Sequence, residues 1–293
     1  MNQFDALIIG HGPAGCSAAL YLCRAGKRVA VVGKDPGALG KAEAIENYYG
    51  LPLAMRGRDL VSAGRRQCAE LGAHMVKDEV LSLDWLEDGT FAAELAGGSR
   101  FEAKTALLAT GKVTRVPNIE GIRDFEGKGV SYCAVCDGFL YRGREVAVLG
   151  GGAYAKHEME ELLPLAKKVT LFTHGAEPQF DPPSEVRVRT RRLLRLHGAE
   201  TLAAAELENG DKQDLQGLFV ALGTASAGDL ARKLGLRLKN NAVPVNSLQE
   251  TTLPGLLAAG DCTGSFAQVA FAVAEGAKAG LSMIAYLRSN EKL

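Results

Sequence analysis

The sequence predicts an α/β protein built from two Rossmann-like three-layer nucleotide-binding domains, the second inserted in the first. Three observations predict it. A strand, glycine turn, helix and strand follow one another around Gly10-His11-Gly12-Pro13-Ala14-Gly15 at the start of the chain. A second unit of the same kind surrounds Gly150-Gly151-Gly152-Ala153-Tyr154-Ala155 in the middle. Near the C-terminus an apolar strand ends in Gly260-Asp261 and leads to an alanine-rich helix. Strand, GxGxxG or GxGxxA, then helix is the context that a dinucleotide motif requires.

The composition agrees. The chain has 293 residues, enough for two domains, with 47% apolar and 23% charged residues. Lysine plus arginine balances aspartate plus glutamate at 34 each, so global charge makes no case for nucleic acid or a membrane surface. No stretch reaches the roughly 18 consecutive apolar residues of a membrane span. The N-terminus lacks a basic leader segment, and a cytoplasmic location is expected, where thiols stay reduced.

In chain order, Phe4 to Ile9 reads as a strand. The glycine turn follows, with Pro13 opening a helix to about Ala25, and then a strand from Arg28 to Val32. Gly10, Gly12, Pro13, Ala14 and Gly15 would bring backbone and a helix N-terminus to a pyrophosphate. The ribose-binding acid expected at the end of the second strand is missing. Gly33 and Lys34 stand there, and Asp35 is the nearest acid. Met55 to Gly72 reads as a helix and His74 to Ala103 as a β-meander, with turns at Asp88-Gly89 and Gly97-Gly98. Ala106 to Ala109 is a strand ending in Thr110-Gly111.

The second unit runs from the strand Arg144–Leu149 through a helix to about Ala166 and the strand Lys168–Phe172. Thr173-His174-Gly175-Ala176 follows where an acid would select NAD. No arginine for a 2′-phosphate occurs between Arg144 and Arg187. A bulky Tyr154 occupies a position that is usually small. Farther on, Arg187, Arg189, Arg191, Arg192 and Arg195 form a basic strip, the first three alternating along a predicted strand and so sharing a face. That strip is a solvated edge strand or a dock for an acidic protein.

Cys133-Ala134-Val135-Cys136-Asp137 is the sharpest chemical signal. Two cysteines at this spacing can close a small disulfide ring, and Asp137 can move protons for a thiolate. A zinc reading lacks further ligands at metal spacing. Cys16, Cys23, Cys68 and Cys262 read as small core residues.

Taken together, these motifs resemble the low-molecular-weight thioredoxin reductases. The shared residues are Gly10 to Gly15, Ile45-Glu46-Asn47-Tyr48-Tyr49-Gly50, Ala109-Thr110-Gly111, Gly129 to Gly138, Gly150-Gly151-Gly152, Ala259-Gly260-Asp261 and Gln268-Val269-Ala270. The resemblance implies a discontinuous FAD-binding domain from residues 1–113 and 243–293. It implies a central NAD(P)H-like domain, 114–242, carrying the disulfide, and a homodimer. By it, Asn47, Asp261, Gln268 and Val269 contact FAD, with Ala109, Thr110, Gly111 and Gly260 beside them. Cys136 lies nearest the flavin, Cys133 attacks the disulfide of thioredoxin, and Asp137 moves protons.

The family's NADPH arginines fall on Thr173 to Gln179, where this chain has none, and Ala267 replaces the arginine before Gln268. In this the sequence is similar to the ferredoxin-dependent flavin thioredoxin reductases, which implies a ferredoxin donor. A related branch holds a second flavin instead. The alternatives are reduction by NADH or NADPH through other contacts, and a flavin-binding sensor without turnover.

Overall fold

A computed structural model describes residues 2–111 and 118–290. It divides into two compact units, Met1–Val113 with Ser226–Leu293, and Thr114–Ala225.

In the first unit, β1 (Asn2–Ile9) is central because Ala6, Leu7, Ile8 and Ile9 are all buried, an unbroken apolar run that suits a parallel sheet covered on both faces. It pairs in parallel with β2 (Val29–Val32) and β6 (Arg100–Leu108). Helix α1 (Pro13–Arg24) makes the crossover to β2, and α2 (Gly57–Glu70) leads to β3 (His74–Val76). With β4 (Val80–Trp85), β5 (Phe91–Leu95) and β15 (Leu256–Ala258), they form a seven-stranded sheet of order β3-β2-β1-β6-β5-β4, with β15 beside β6.

The C-terminal helix α6 (Val269–Asn290) packs on α1 through Ala272, Ala279, Met283 and Leu287. Gly276 and Gly280 make the close approach possible. A side chain at Gly276 would enter the backbone of Ala14, and one at Gly280 would enter that of Ala18. By length and composition alone α6 could cross a membrane, but this face is committed to α1.

Two expectations change in this unit. The meander from His74 does not include β3, which joins β2 in parallel. The strand expected from Ala106 is the second half of β6. Strand β6 stays continuous because β1 pairs with it from Phe101 to Leu108; its other edge takes β5 up to Ala103 and β15 from Ala106. The domain boundary also shifts. Residues 226–242, expected in the central domain, pack with the first unit. Helix α5 (Ala227–Lys233) opens on a Ser226–Asp229 capping box, which satisfies orphan helix N–H groups. The Ala227 N–H donates to Thr110 Oγ1 at 2.8 Å, and Lys233 Nζ donates to the Leu81 carbonyl at 3.4 Å.

The second unit has an all-parallel five-stranded sheet, β10 (Arg187–Arg189), β9 (Lys168–Phe172), β8 (Glu145–Leu149), β14 (Gly217–Val220) and β7 (Val130–Ser131) in that order. Between β7 and β8 lies the single turn α3 (Ala134–Asp137), and α4 (Ala153–Leu162) follows β8. An antiparallel sheet of β11 (Leu193–Gly198), β12 (Leu202–Leu207) and β13 (Lys212–Asp214) covers one side. Its Leu193, Leu196 and Ala205 share a core with Phe172 and Leu218. The strand expected to carry alternating arginines stops at Arg189. Arg191 lies beyond it, so only Arg187 and Arg189 alternate on β10.

Candidate functional site

Cys133 and Cys136 form a disulfide across the turn α3, with their Cα atoms 5.3 Å apart. Cys133 is the N-cap of that turn. Its Sγ accepts the Cys136 N–H at 3.1 Å, a donor that would also stabilise a thiolate there. Cys133 is 2% exposed, whereas Cys136 is half-buried.

Two side chains hold the turn from below. Ser131, at the end of β7, accepts the Cys133 N–H at 3.1 Å and donates its hydroxyl to Asp137 Oδ2 at 2.6 Å. The Glu158 carboxylate, 1% exposed, accepts the Ala134 N–H at 2.6 Å. Tyr154 donates to the Tyr132 carbonyl at 3.2 Å, so its bulk at the glycine turn supports the segment entering the disulfide. Gly138 is bare because any side chain would meet Leu162 and Leu165. Burial, and then the Asp137 carboxylate, push the Tyr141 phenol up from its ordinary pKa. Val135, Phe139 and Leu140 are exposed around the pair, an apolar rim of the kind protein partners cover.

The first unit carries the open glycine turn. Gly10 has φ +113°, and a side chain there would strike the Ala109 carbonyl; one on Gly15 would strike that of Gly10. Gly12 has open space where its Cβ would stand, and Pro13 opens α1. A cavity of about 230 Å³ lies against His11, Gly12, Pro13, Tyr48 and Val269. Asn47 Nδ2 donates to Gln268 Oε1 at 3.0 Å, which joins two predicted cofactor contacts 221 residues apart. Ala14 is buried under the turn. The Gly260 N–H is taken by Glu275 at 2.7 Å, and Asp261 opens a short 3-10 turn ahead of α6. Gly111 has φ +79°. An open glycine cradle, a helix N-terminus and a buried imidazole nitrogen without a partner among the described residues (Nδ1 of His11) fit a dinucleotide cofactor.

The second glycine turn is different. Gln179 donates its backbone N–H to the Gly151 carbonyl at 2.7 Å. Beside Gly152, which corresponds to the open Gly12, Gln179 Oε1 and the Gly223 carbonyl come within 3.6 and 3.7 Å of where a Cβ would stand. Glu177 and Pro178 lie equally close to Gly151. Thr173 donates to the Ala176 carbonyl, tightening the segment on which the resemblance places phosphate arginines. Of the basic strip, Arg189 pairs with Asp211 at 4.0 Å and Arg195 with Glu120 at 2.5 Å, while Arg187, Arg191 and Arg192 are exposed.

Three supporting residues escaped the sequence reading. Glu158 left a trace: it lies on the buried stripe of α4 with Tyr154, Ala155, Met159 and Leu162, where a charge is out of place. Ser131 and His11 stand inside the shared motifs, but nothing in the sequence assigns either a role. Cys16, Cys68 and Cys262 are buried free thiols, and burial pushes Cys262 up to about 12.

Residues 4–276 match the family described as pyridine nucleotide-disulphide oxidoreductase. A thioredoxin reductase of Aquifex aeolicus (strain VF5) is 31% identical over 99% of this chain and 95% of its own. The crystal structure of an atypical thioredoxin reductase from Desulfovibrio vulgaris Hildenborough superposes with a TM-score of 0.91. It is 40% identical, over 97% of this chain and 98% of that one. A ferredoxin-flavin thioredoxin reductase from Clostridium acetobutylicum superposes with a TM-score of 0.77 at 29% identity, over 99% of both chains.

Proposed function

The chain belongs to the pyridine nucleotide-disulphide oxidoreductase family as a FAD-binding disulfide oxidoreductase of the thioredoxin reductase type, and from that premise we propose that its electrons come from a reduced ferredoxin and pass to a thioredoxin. The observation that carries the donor reading is the chain's own lining of the second glycine turn. Where Gly12 leaves room for a pyrophosphate, the turn at Gly151 and Gly152 is lined by the chain's own Glu177, Pro178 and Gln179. A nicotinamide dinucleotide would meet these residues at the turn, and the segment from Thr173 to Gln179 carries no arginine of its own for a 2′-phosphate, Arg192 alone standing beside Gly175. The likeness to the clostridial enzyme, whose name includes ferredoxin, supports the same reading.

When bound by the first unit, FAD would supply the electron pair needed to open the Cys133–Cys136 disulfide. Opening it takes two electrons and two protons and leaves two thiols. In this reading Asp137, oriented by the Ser131 hydroxyl, hands a proton to or from the pair. Cys133, deprotonated, attacks the thioredoxin disulfide, and Cys136 resolves the mixed disulfide. Thioredoxin then leaves as a dithiol and the Cys133–Cys136 bond is restored. Because Cys133 is 2% exposed, its turn must be uncovered before a protein disulfide can reach it. The exposed Arg187, Arg191 and Arg192 suit docking of an acidic donor. The working form proposed is a homodimer in the cytoplasm, on the strength of the resemblance and of the need for a reducing thiol pool.

Anaerobic mixing tests the donor. Reduced ferredoxin should bleach the flavin band, and micromolar NADPH or NADH should leave it unchanged on the same time scale. Rapid bleaching by NADPH overturns the proposal.

A further inference from the structure

A dinucleotide site of this architecture ordinarily uses an acid at the end of the second strand to accept a hydrogen bond from a ribose hydroxyl. Here Gly33 holds that place. Lys34 is paired with buried Glu79 at 2.7 Å, and the Asp35 carboxylate accepts the Gly37 N–H at 2.7 Å within its own exposed loop.

The space above Gly33 belongs to His11. A Cβ on Gly33 would collide with the imidazole at Nδ1, Cγ and Cε1, so the glycine and the histidine require one another. The ring is 3% exposed. Its Nε2 lies 2.7 Å from the Asp35 carbonyl oxygen. A carbonyl only accepts, so Nε2 carries the proton and Nδ1 presents a lone pair. Burial lowers the pKa of this imidazole, which favours the neutral ring. Among the described residues Nδ1 has no hydrogen-bond partner. A buried acceptor left unpaired is costly, and native structures keep few of them. His11 also lines the cavity shared by Gly12 and Pro13, the turn that would face a bound pyrophosphate.

We propose that His11 replaces the missing strand-end acid, its Nδ1 accepting a hydrogen bond from a ribose hydroxyl in the adenosine half of FAD. The inference rests on the FAD site of the first unit. It explains why the second strand can end in glycine, and it makes the middle residue of the first glycine turn a ligand-reading residue.

The test uses the full chain stripped of flavin and titrated, by quenching of flavin fluorescence, with FAD and with its 2′-deoxyadenosine and 3′-deoxyadenosine analogues. The parent should bind one deoxy analogue about five- to tenfold more weakly than FAD, as loss of one neutral hydrogen bond predicts. His11→Phe keeps a ring over Gly33 without an acceptor. It should bind FAD and that analogue equally, both at the analogue's affinity for the parent. Equal affinities of the parent for all three flavins, or an undiminished preference in His11→Phe, overturn the proposal. If the variant does not fold, the Nδ1 resonance of His11 in nitrogen-15-labelled parent decides: it should move with FAD and not with the weaker analogue, and an identical response to both refutes the contact. Failure of every flavin to bind would instead remove the FAD site, and the proposal with it.

Discussion

Replacing Glu158 with alanine should loosen the redox turn without touching a sulfur atom. Glu158 Oε2 lies 2.6 Å from the Ala134 N–H, and both residues are 1% exposed. The substitution removes a charged acceptor and leaves a buried donor unsatisfied, at a cost of about 1.5–3 kcal/mol. If the turn opens locally, that corresponds to a rise of about 10- to 150-fold in exchange of the Ala134 amide. Glu158→Gln keeps an oxygen at the same reach and gives up only the charge, so its loss should be nearer 1 kcal/mol, about fivefold. Amide hydrogen exchange of the oxidised protein, resolved at Ala134, reads both variants. Unchanged exchange in Glu158→Ala, or equal loosening by glutamine and alanine, would refute the reasoning that the carboxylate holds the turn. Thioredoxin reduction should fall in the same order, alanine below glutamine below parent.

Ser131→Ala removes the 2.6 Å donor to Asp137 and should slow thioredoxin reduction about tenfold, with a displaced pH profile, as a loss near 1.4 kcal/mol in the transition state would; a parental profile would mean that Ser131 does not orient the acid. Gly12→Ala should fold as the parent, because its φ is −75° and the space is open, yet bind FAD more weakly in fluorescence titration. Gly10→Ala should be destabilised by about 3 kcal/mol in urea, because its φ of +113° and the Ala109 carbonyl both oppose a methyl. The buried His11 has its pKa lowered from 6.5, so the unfolded chain takes up a proton first as the pH falls. The resulting stability is therefore present above pH 6.5 and is lost as the pH falls below it toward the folded pKa, by at most about 1.4 kcal/mol per unit. Urea titrations of the flavin-free protein across that window should show the loss, and His11→Phe should remove that part of it.

Much of this arrangement is legible in the sequence because it depends on local chemistry. Gly10, Gly12 and Gly15 serve backbone approaches that no larger residue allows, and the Cys133–Cys136 spacing closes within one turn. The strands β1 and β8 are apolar runs that announce burial on both faces. Strand β3 does not stand out from the meander because a three-residue strand has no periodicity; its parallel pairing to β2 is a tertiary choice. The boundary at Ser226 is not legible although Ser-x-x-Asp is a helix-start signal, because the contact that ties this helix to the first unit runs from the Ala227 N–H to the Thr110 hydroxyl, 117 residues earlier. Glu158 and His11 illustrate the same limit. Each acts on a group more than twenty residues away, Glu158 on the Ala134 N–H and His11 over Gly33, and sequence spacing does not show which buried atom a side chain will meet.

The central claim is that electrons leave the flavin through Cys136 and Cys133 and nowhere else. Its most direct test is a single turnover without a physiological donor. The full-length protein is reduced with dithionite, freed of excess reductant, and mixed anaerobically with oxidised thioredoxin while flavin absorbance and thioredoxin thiols are both followed. The parent should recover its oxidised flavin band as two thiols appear per thioredoxin. Cys133→Ser and Cys136→Ser should hold the reduced flavin and release no thioredoxin thiols, with bound FAD unchanged. Reoxidation of the flavin by thioredoxin in either variant at the parental rate would contradict the account.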